Sequence, residues 1–220
     1  AAAGSRWSAG PDLPANGAYQ ASATLDGKIF SVGGDTFDGA SLTAYGDVLM
    51  LDPANLGGGW QTKAALPIPT SGAPGCDESR AFGFDTASGW SLAGKIVLAG
   101  CGQWDQTSTA LPDSFVYDGG ADTWATFASL NQARRNHAGA FIIDNASSGR
   151  LWVGGGYIPG GTNLGTSTTE TYQISHQAPT AVGLADFSAR GSDMALVVLA
   201  AALLSFGLLT VARRRSAPRA

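Results

Sequence analysis

Charge is scarce in this chain: Lys, Arg, Asp and Glu make up 14% of its 220 residues. It also has little of several residue types that carry chemistry. There are two cysteines, two histidines (His137 and His176) and two glutamates (Glu78 and Glu170). So few soft or imidazole ligands leave little from which to assemble a zinc site. The chain has no Gly-x-Ser-x-Gly elbow and no His-Glu-x-x-His pair, which removes the most legible hydrolase signatures. Before residue 190 no window sustains an apolar repeat at helical spacing, which excludes a helical bundle. All 17 acidic residues lie at or before Asp193 with only nine of the 13 basic ones, a net charge of −8 for that stretch. Nucleic acid, whose phosphates need a basic face, is therefore not an expected partner.

Glycine is abundant, at 31 residues, and hydrophobic residues reach 44%. That combination predicts an all-β fold of many short strands and tight turns. One long apolar run stands apart: Met194 to Ala212, 19 residues without a charge. As a helix it would be about 28 Å long, close to the hydrocarbon thickness of a bilayer. Asp193 precedes it and Arg213, Arg214 and Arg215 follow. Arginines flanking a span stay on the cytoplasmic side, so the expectation is a single-pass membrane protein with its bulk extracytoplasmic. Residues 176–193 read as a linker, 194–212 as the transmembrane helix and 213–220 as a cytoplasmic basic tail. This ending resembles the C-terminal anchors of bacterial surface proteins, without an LPxTG-like sorting motif. The sequence opens Ala-Ala-Ala-Gly-Ser-Arg-Trp with neither Met nor an export signal, so upstream chain is expected.

Three segments repeat: Gly27-Lys28-Ile29-Phe30-Ser31-Val32-Gly33-Gly34, Gly94-Lys95-Ile96-Val97-Leu98-Ala99-Gly100, and Gly149-Arg150-Leu151-Trp152-Val153-Gly154-Gly155. Their first glycines lie 67 and 55 residues apart. Another strand is expected before each, at 20–25, 80–84 and 137–143, with Asp26-Gly27 a strong hairpin turn. A third follows, at 47–52, 114–118 and 170–174. Trp60 and Trp124 each open a fourth, and Trp7 opens an equivalent segment through Leu13-Pro14. A four-stranded unit recurring every 50–65 residues or so is the pattern of a propeller blade.

These residues carry a resemblance to the kelch family. Gly33-Gly34 followed by Trp60, Tyr117 followed by Trp124, and Leu130…Arg134…His137 followed by Gly154-Gly155 follow that family's pattern. The second unit departs from it, with Ala99-Gly100-Cys101-Gly102 in place of Gly-Gly. The resemblance covers about residues 7–175 and implies a kelch-type β-propeller of about three four-stranded blades, with the Trp7 strand completing the last. Trp7, Trp60 and Trp124 are expected to be buried between blades. Propellers usually have about 4–8 blades, so further blades are expected upstream, or association of chains.

Cys76 precedes the strand around Phe82, and Cys101 follows the strand around Val97. The two should face each other across one hairpin, and in an oxidising compartment they read as a disulfide. No metal and no cofactor is expected. The resemblance places the loops that enter the first strand and leave the second at one mouth of the propeller. Candidate ligand-binding residues there are Arg134, Arg135 and His137, suited to an anion, and Asp35, Asp38, Trp104, Asp105 and Tyr157, suited to a carbohydrate or peptide. For each a structural reading stands beside the functional one: paired arginines, a His bonded to backbone, aspartates serving turns. His176 reads as a solvated linker residue. Gly154-Gly155-Gly156 has no helix after it to cradle phosphate. Galactose-oxidase-like enzymes share the kelch propeller, but their copper site needs two histidines and a Cys-linked Tyr, for which this sequence has no matching motif.

The expectation is thus a membrane-anchored binding module taking a protein or carbohydrate ligand at the propeller mouth. The alternative is a carbohydrate-active propeller enzyme whose catalytic residues lie on upstream blades.

Overall fold

The computed structural model describes residues 7–103, 109–160 and 164–176. These residues form an all-β structure of antiparallel sheets. The first sheet comprises β1 (Ala21–Leu25), β2 (Lys28–Val32), β5 (Val48–Leu51) and β6 (Gln61–Lys63), hydrogen-bonded in that order. A two-stranded hairpin of β3 (Asp35–Phe37) and β4 (Leu42–Ala44) is inserted between β2 and β5. The second sheet runs β7 (Arg80–Phe84), β8 (Lys95–Gln103), β9 (Thr109–Asp118) and β10 (Thr123–Thr126). The third has β11 (Ala138–Asn145), β12 (Ser148–Gly154) and β13 (Thr169–Ser175). Each is a meander, as the sequence pattern predicted; the inserted hairpin was not foreseen.

Local chemistry explains the connections. Asp26 and Gly27 both have positive φ, 48° and 72°, as the tight hairpin turn between β1 and β2 demands. The connection between β7 and β8 instead takes ten residues, 85–94, including a short 3-10 turn. Those eight extra residues are why the sequence repeat read from the glycines is 67 residues at this step.

The sheets pack face to face through strand alternation. On β8, Ile96 and Leu98 join Phe30, Val32, Phe115 and Tyr117 in a core between the first and second sheets. Val97 and Ala99, pointing the other way, join Phe82, Phe84, Leu151, Val153 and Ile174 between the second and third. The second sheet is therefore buried on both faces, and every residue of β8 after Lys95 is buried. Gly83 lets the innermost strands meet: a Cβ there would lie 2.9 Å from the Thr24 carbonyl carbon.

A backbone ladder links successive sheets. Tyr19, Glu78 and Asn136 all adopt positive φ, of 55°, 49° and 49°, uncommon for residues with a side chain. The Glu78 N–H donates to the Tyr19 carbonyl at 3.0 Å, and the Asn136 N–H donates to the Glu78 carbonyl at 2.8 Å. The three are spaced 59 and 58 residues apart, so the structural repeat is more regular than the glycine motifs that announced it.

Trp60 and Trp124 are partly buried and tie their sheets to preceding chain, the indole N–H of Trp60 donating to the Pro11 carbonyl and that of Trp124 to the Ala64 carbonyl. Trp7 is different: it is 93% exposed, and residues 7–17 form no strand. The expected strand from Trp7 thus does not close the third sheet, which has three strands among the described residues. His176 is also not a solvated linker residue. Its ring packs edge-on against Trp90 at 4.8 Å, and Nε2 lies 3.2 Å from the Ser88 carbonyl. The apolar segment 194–212 and the basic tail lie outside the described residues, among which no helix is long and apolar enough to cross a membrane.

Candidate functional site

Because neighbouring strands are antiparallel, β1, β7 and β11 begin at the end where β2, β8 and β12 finish. That end gathers most of the candidate residues. It also holds a set of ionisable groups that are fully or almost fully buried: Asp35, Asp77, Glu78, Arg134, Arg135 and His137. Charges so placed must be paired, since desolvation is costly.

Arg134 is fixed within the third sheet. Its guanidinium donates to the Gly155 and Thr168 carbonyls at 2.8 and 3.0 Å, to Thr168 Oγ1 at 3.1 Å and to Glu170 at 2.8 Å. Glu170 also accepts the N–H groups of Asn131 and Gln132. Arg135 instead reaches back to the second sheet, forming an ion pair with Glu78. Its other face is covered by Tyr157, whose ring centre lies 4.8 Å from the guanidinium carbon. Tyr157 and Arg135 also exchange backbone hydrogen bonds, at 2.9 and 3.0 Å. Three residues chosen from sequence thus do gather here, but the arginines are committed to protein partners.

His137 is fully buried. A Cβ on Gly100 would sit 2.8 Å from its Cε1, and one on Gly156 2.8 Å from its Cβ, so both glycines make room for it. Burial above all, with Arg80 and Arg134 adding like charge, lowers its pKa to about 4. The imidazole is therefore neutral at physiological pH and serves the packing of this end.

Of the carboxylates singled out, Asp38 is exposed and its Oδ1 accepts the N–H groups of Ala40 and Ser41 at 2.8 Å. It closes the turn between β3 and β4 and is held below the usual carboxylate range by those bonds. Asp35 is fully buried at the start of β3, its backbone paired both ways with Ala18 at 2.9 Å. Trp104 and Asp105 lie outside the described residues.

The disulfide joins Cys76 to Cys101, with their Cα atoms 4.8 Å apart. The residues after each cysteine, Asp77 and Gly102, exchange backbone hydrogen bonds at 2.9 Å. A Cβ on Gly102 would lie 2.8 Å from the Asp77 carbonyl and 3.1 Å from the Arg135 Cβ. The crosslink thereby fixes Glu78 opposite Arg135. Gln103 extends the same arrangement, its amide donating to the Ala73 and Gly75 carbonyls at 3.0 Å. Glu78, Asp77 and Gln103 were not picked from sequence. Aligning the repeats on Tyr19, Glu78 and Asn136 would have exposed Glu78 as a charge in a linking position.

Beside this end lies a cleft of about 300 Å³ bordered by the segment 13–16, the hairpin β3–β4 and the first sheet. Tyr45, Asp47 and Gln20 line it, with Leu13 and Leu49 as apolar surface. Gln20 Nε2 donates to the Tyr45 hydroxyl at 3.0 Å. Burial, with the nearby charges of Asp35 and Asp47, pushes the Tyr45 phenol above its ordinary pKa. None of these lining residues had been singled out, because their proximity depends on the unforeseen hairpin.

Among the described residues no group of three His, Cys, Asp or Glu side chains is placed to hold a metal ion. Compared with known proteins, the chain matches no family model and no curated protein.

Proposed function

We propose that this chain is part of an extracytoplasmic binding module built on a kelch-type β-propeller and held in a membrane through residues 194–212. The observation that supports the reading is the sheet-to-sheet ladder: Glu78 bonds back to Tyr19 and Asn136 to Glu78, at near-constant spacing. It makes each meander one copy of a unit stacked on the last, which is how propeller blades build a core that no single blade has. Candidate side chains cluster at one end of the strands, as in a propeller whose mouth takes a ligand. The ligand is a protein or a carbohydrate, since the arginines that would favour an anion are paired internally. The buried Cys76–Cys101 disulfide fits an oxidising compartment. The uncharged run before Arg213 supports anchorage with that compartment outside.

Protease treatment of intact cells tests this. Proteinase K added outside should remove the region before Asp193, leaving a C-terminally tagged fragment protected by the membrane. Full protection of the region before Asp193 would refute the topology. Peptide mapping without reductant should recover Cys76 and Cys101 crosslinked in the same material, and two free thiols would refute the compartment.

A further inference from the structure

We propose that Asn145 is the acceptor of an N-linked glycan. The proposal rests on the extracytoplasmic reading for its compartment and on the β11–β12 turn for its chemistry. Of the six asparagines in the chain, Asn145 alone has Ser or Thr two residues on, in Asn145-Ala146-Ser147. That spacing, with a residue other than proline between, marks an N-glycosylation acceptor in an exported chain. The donor is a lipid-diphosphate-linked oligosaccharide. Asn145 Nδ2 bonds to C1 of its first sugar and gives up one proton. The C1–O bond to the diphosphate breaks, and the lipid diphosphate leaves with the electron pair.

The turn leaves the acceptor nitrogen unengaged. Asn145 Oδ1 accepts the Ser147 N–H and the Ser147 hydroxyl, both at 2.9 Å, so the hydroxyl that the motif demands already lies against the amide. Nδ2 donates to no protein atom among the described residues. Turn closure alone does not call for an amide. Asp38, Asp52 and Asp118 make the same bond to the N–H two residues on, and a carboxylate accepts such a bond more strongly. Other groups also fix the turn. The His176 N–H donates to the Ser147 carbonyl at 2.9 Å, and Arg150 grips Asp144 through bonds of 2.6–3.0 Å. A glycan on Nδ2 therefore displaces no hydrogen bond of the fold.

Asn145, Ala146 and Ser147 are all exposed, and that exposure does not depend on what packs beside the third sheet. The first sheet is covered by the second and the second by the third. Yet the matching turns stay open: Asp26 and Gly27 after β1, and Asp85, Thr86 and Ala87 after β7, are exposed as well. The third turn also projects further than the first. β1, β7 and β11 each begin two residues after a ladder position, but β11 has eight residues where β1 and β7 have five. At about 3.4 Å per residue, β11 therefore carries its turn roughly 10 Å beyond the level at which β1 and β7 stop. The turn lies at the opposite end of the strands from the Glu78–Arg135 pair, so a glycan there leaves the candidate mouth uncovered.

Mass spectrometry of the full-length chain purified from the membranes of its own cells decides it. The tryptic peptide 136–150, bounded by Arg135 and Arg150, should carry an oligosaccharide mass that fragmentation localises to Asn145. Asn145→Asp keeps the turn-closing oxygen and removes the acceptor nitrogen, so it should lose the glycan and still unfold cooperatively in urea. Ser147→Ala should cut occupancy by at least about tenfold, and Ser147→Thr, which keeps the hydroxyl, should preserve it. Asn131→Gln, outside the motif, should change nothing. Recovery of peptide 136–150 wholly unmodified overturns the proposal. So does a glycan that persists in Asn145→Asp, or at wild-type occupancy in Ser147→Ala. An unmodified Asn145 in a chain that external protease digests refutes the acceptor site alone. A glycan at Asn145 in a chain protected from that protease refutes the topology alone.

Discussion

Replacing Gly83 by alanine should disturb the structure more than any exposed change of the same size. Gly83 lies on β7 against Thr24 of β1, and a Cβ would stand 2.9 Å from the Thr24 carbonyl carbon and closer still to its oxygen. Carbon atoms pack best at about 3.5–4.0 Å, so the strands must part by roughly an ångström. The obstacle is backbone, so no side chain can swing away. Parting β1 from β7 also loosens the core to which Ala21, Leu25 and the partly buried Ala23 belong, and a gap of about 0.5–1 Å forfeits a quarter to a half of each dispersion contact. Overpacking of this kind costs about 1–3 kcal/mol, occasionally more, and with backbone on both sides we expect about 3 kcal/mol. At a urea dependence of about 2 kcal/mol per molar, the midpoint should fall by about 1.5 M. Pulse proteolysis of the full chain across a urea series reads this. Gly10→Ala, where an added Cβ meets nothing within 4 Å, is the control. A Gly83→Ala midpoint within error of wild type would show that the first and second sheets do not pack as described.

The buried Arg135–Glu78 pair yields a second expectation. Glu78→Gln should destabilise by about 3–5 kcal/mol, because a buried guanidinium loses its counter-charge. The double change Arg135→Met with Glu78→Met should recover most of that loss, and a double variant no better than the single one would refute the pairing. His137 gives a pH dependence. Its folded pKa is about 4 against an ordinary 6.5, so the unfolded chain takes up the proton first. Stability should be constant above pH 6.5 and fall as pH drops towards 4, by up to about 3 kcal/mol. His137→Asn should flatten that slope in urea midpoints measured at several pH values, and an unchanged slope would refute the assignment.

Much of this structure was readable from residue order, for reasons that particular positions make plain. The strands of all three meanders were marked by alternation and by glycine, and β7 falls where expected because Arg80–Phe84 alternates between two glycine-bearing turns. The disulfide was readable because its cysteines flank one hairpin symmetrically. The inserted hairpin β3–β4 was not, since Asp35-Thr36-Phe37 and Leu42-Thr43-Ala44 are too short and mixed to carry a strand signal. Tyr45 and Gln20 went unnoticed with it. Arg135 looked like a ligand group because its partner, Glu78, lies 57 residues away, and no local pattern links them. Trp7 misled because it repeats the spacing of Trp60, although residues 7–17 form no strand.

The ladder through Tyr19, Glu78 and Asn136 also bears on the order in which the chain can fold as it is made. Each meander draws its strands from one continuous stretch, so pairing within a sheet need not wait for distant chain. The first sheet can close its hydrogen bonds as soon as Lys63 has emerged. Its apolar side stays wet until β7 and β8 arrive to cover it. The Tyr19 carbonyl is one place where the newcomer docks, since the Glu78 N–H comes to rest on it. Cys76 emerges just ahead of Glu78, with Cys101 following 25 residues later. The Cys76–Cys101 crosslink closes within the second repeat alone, so each sheet can be complete before the next is made and offers it a ready edge to dock on.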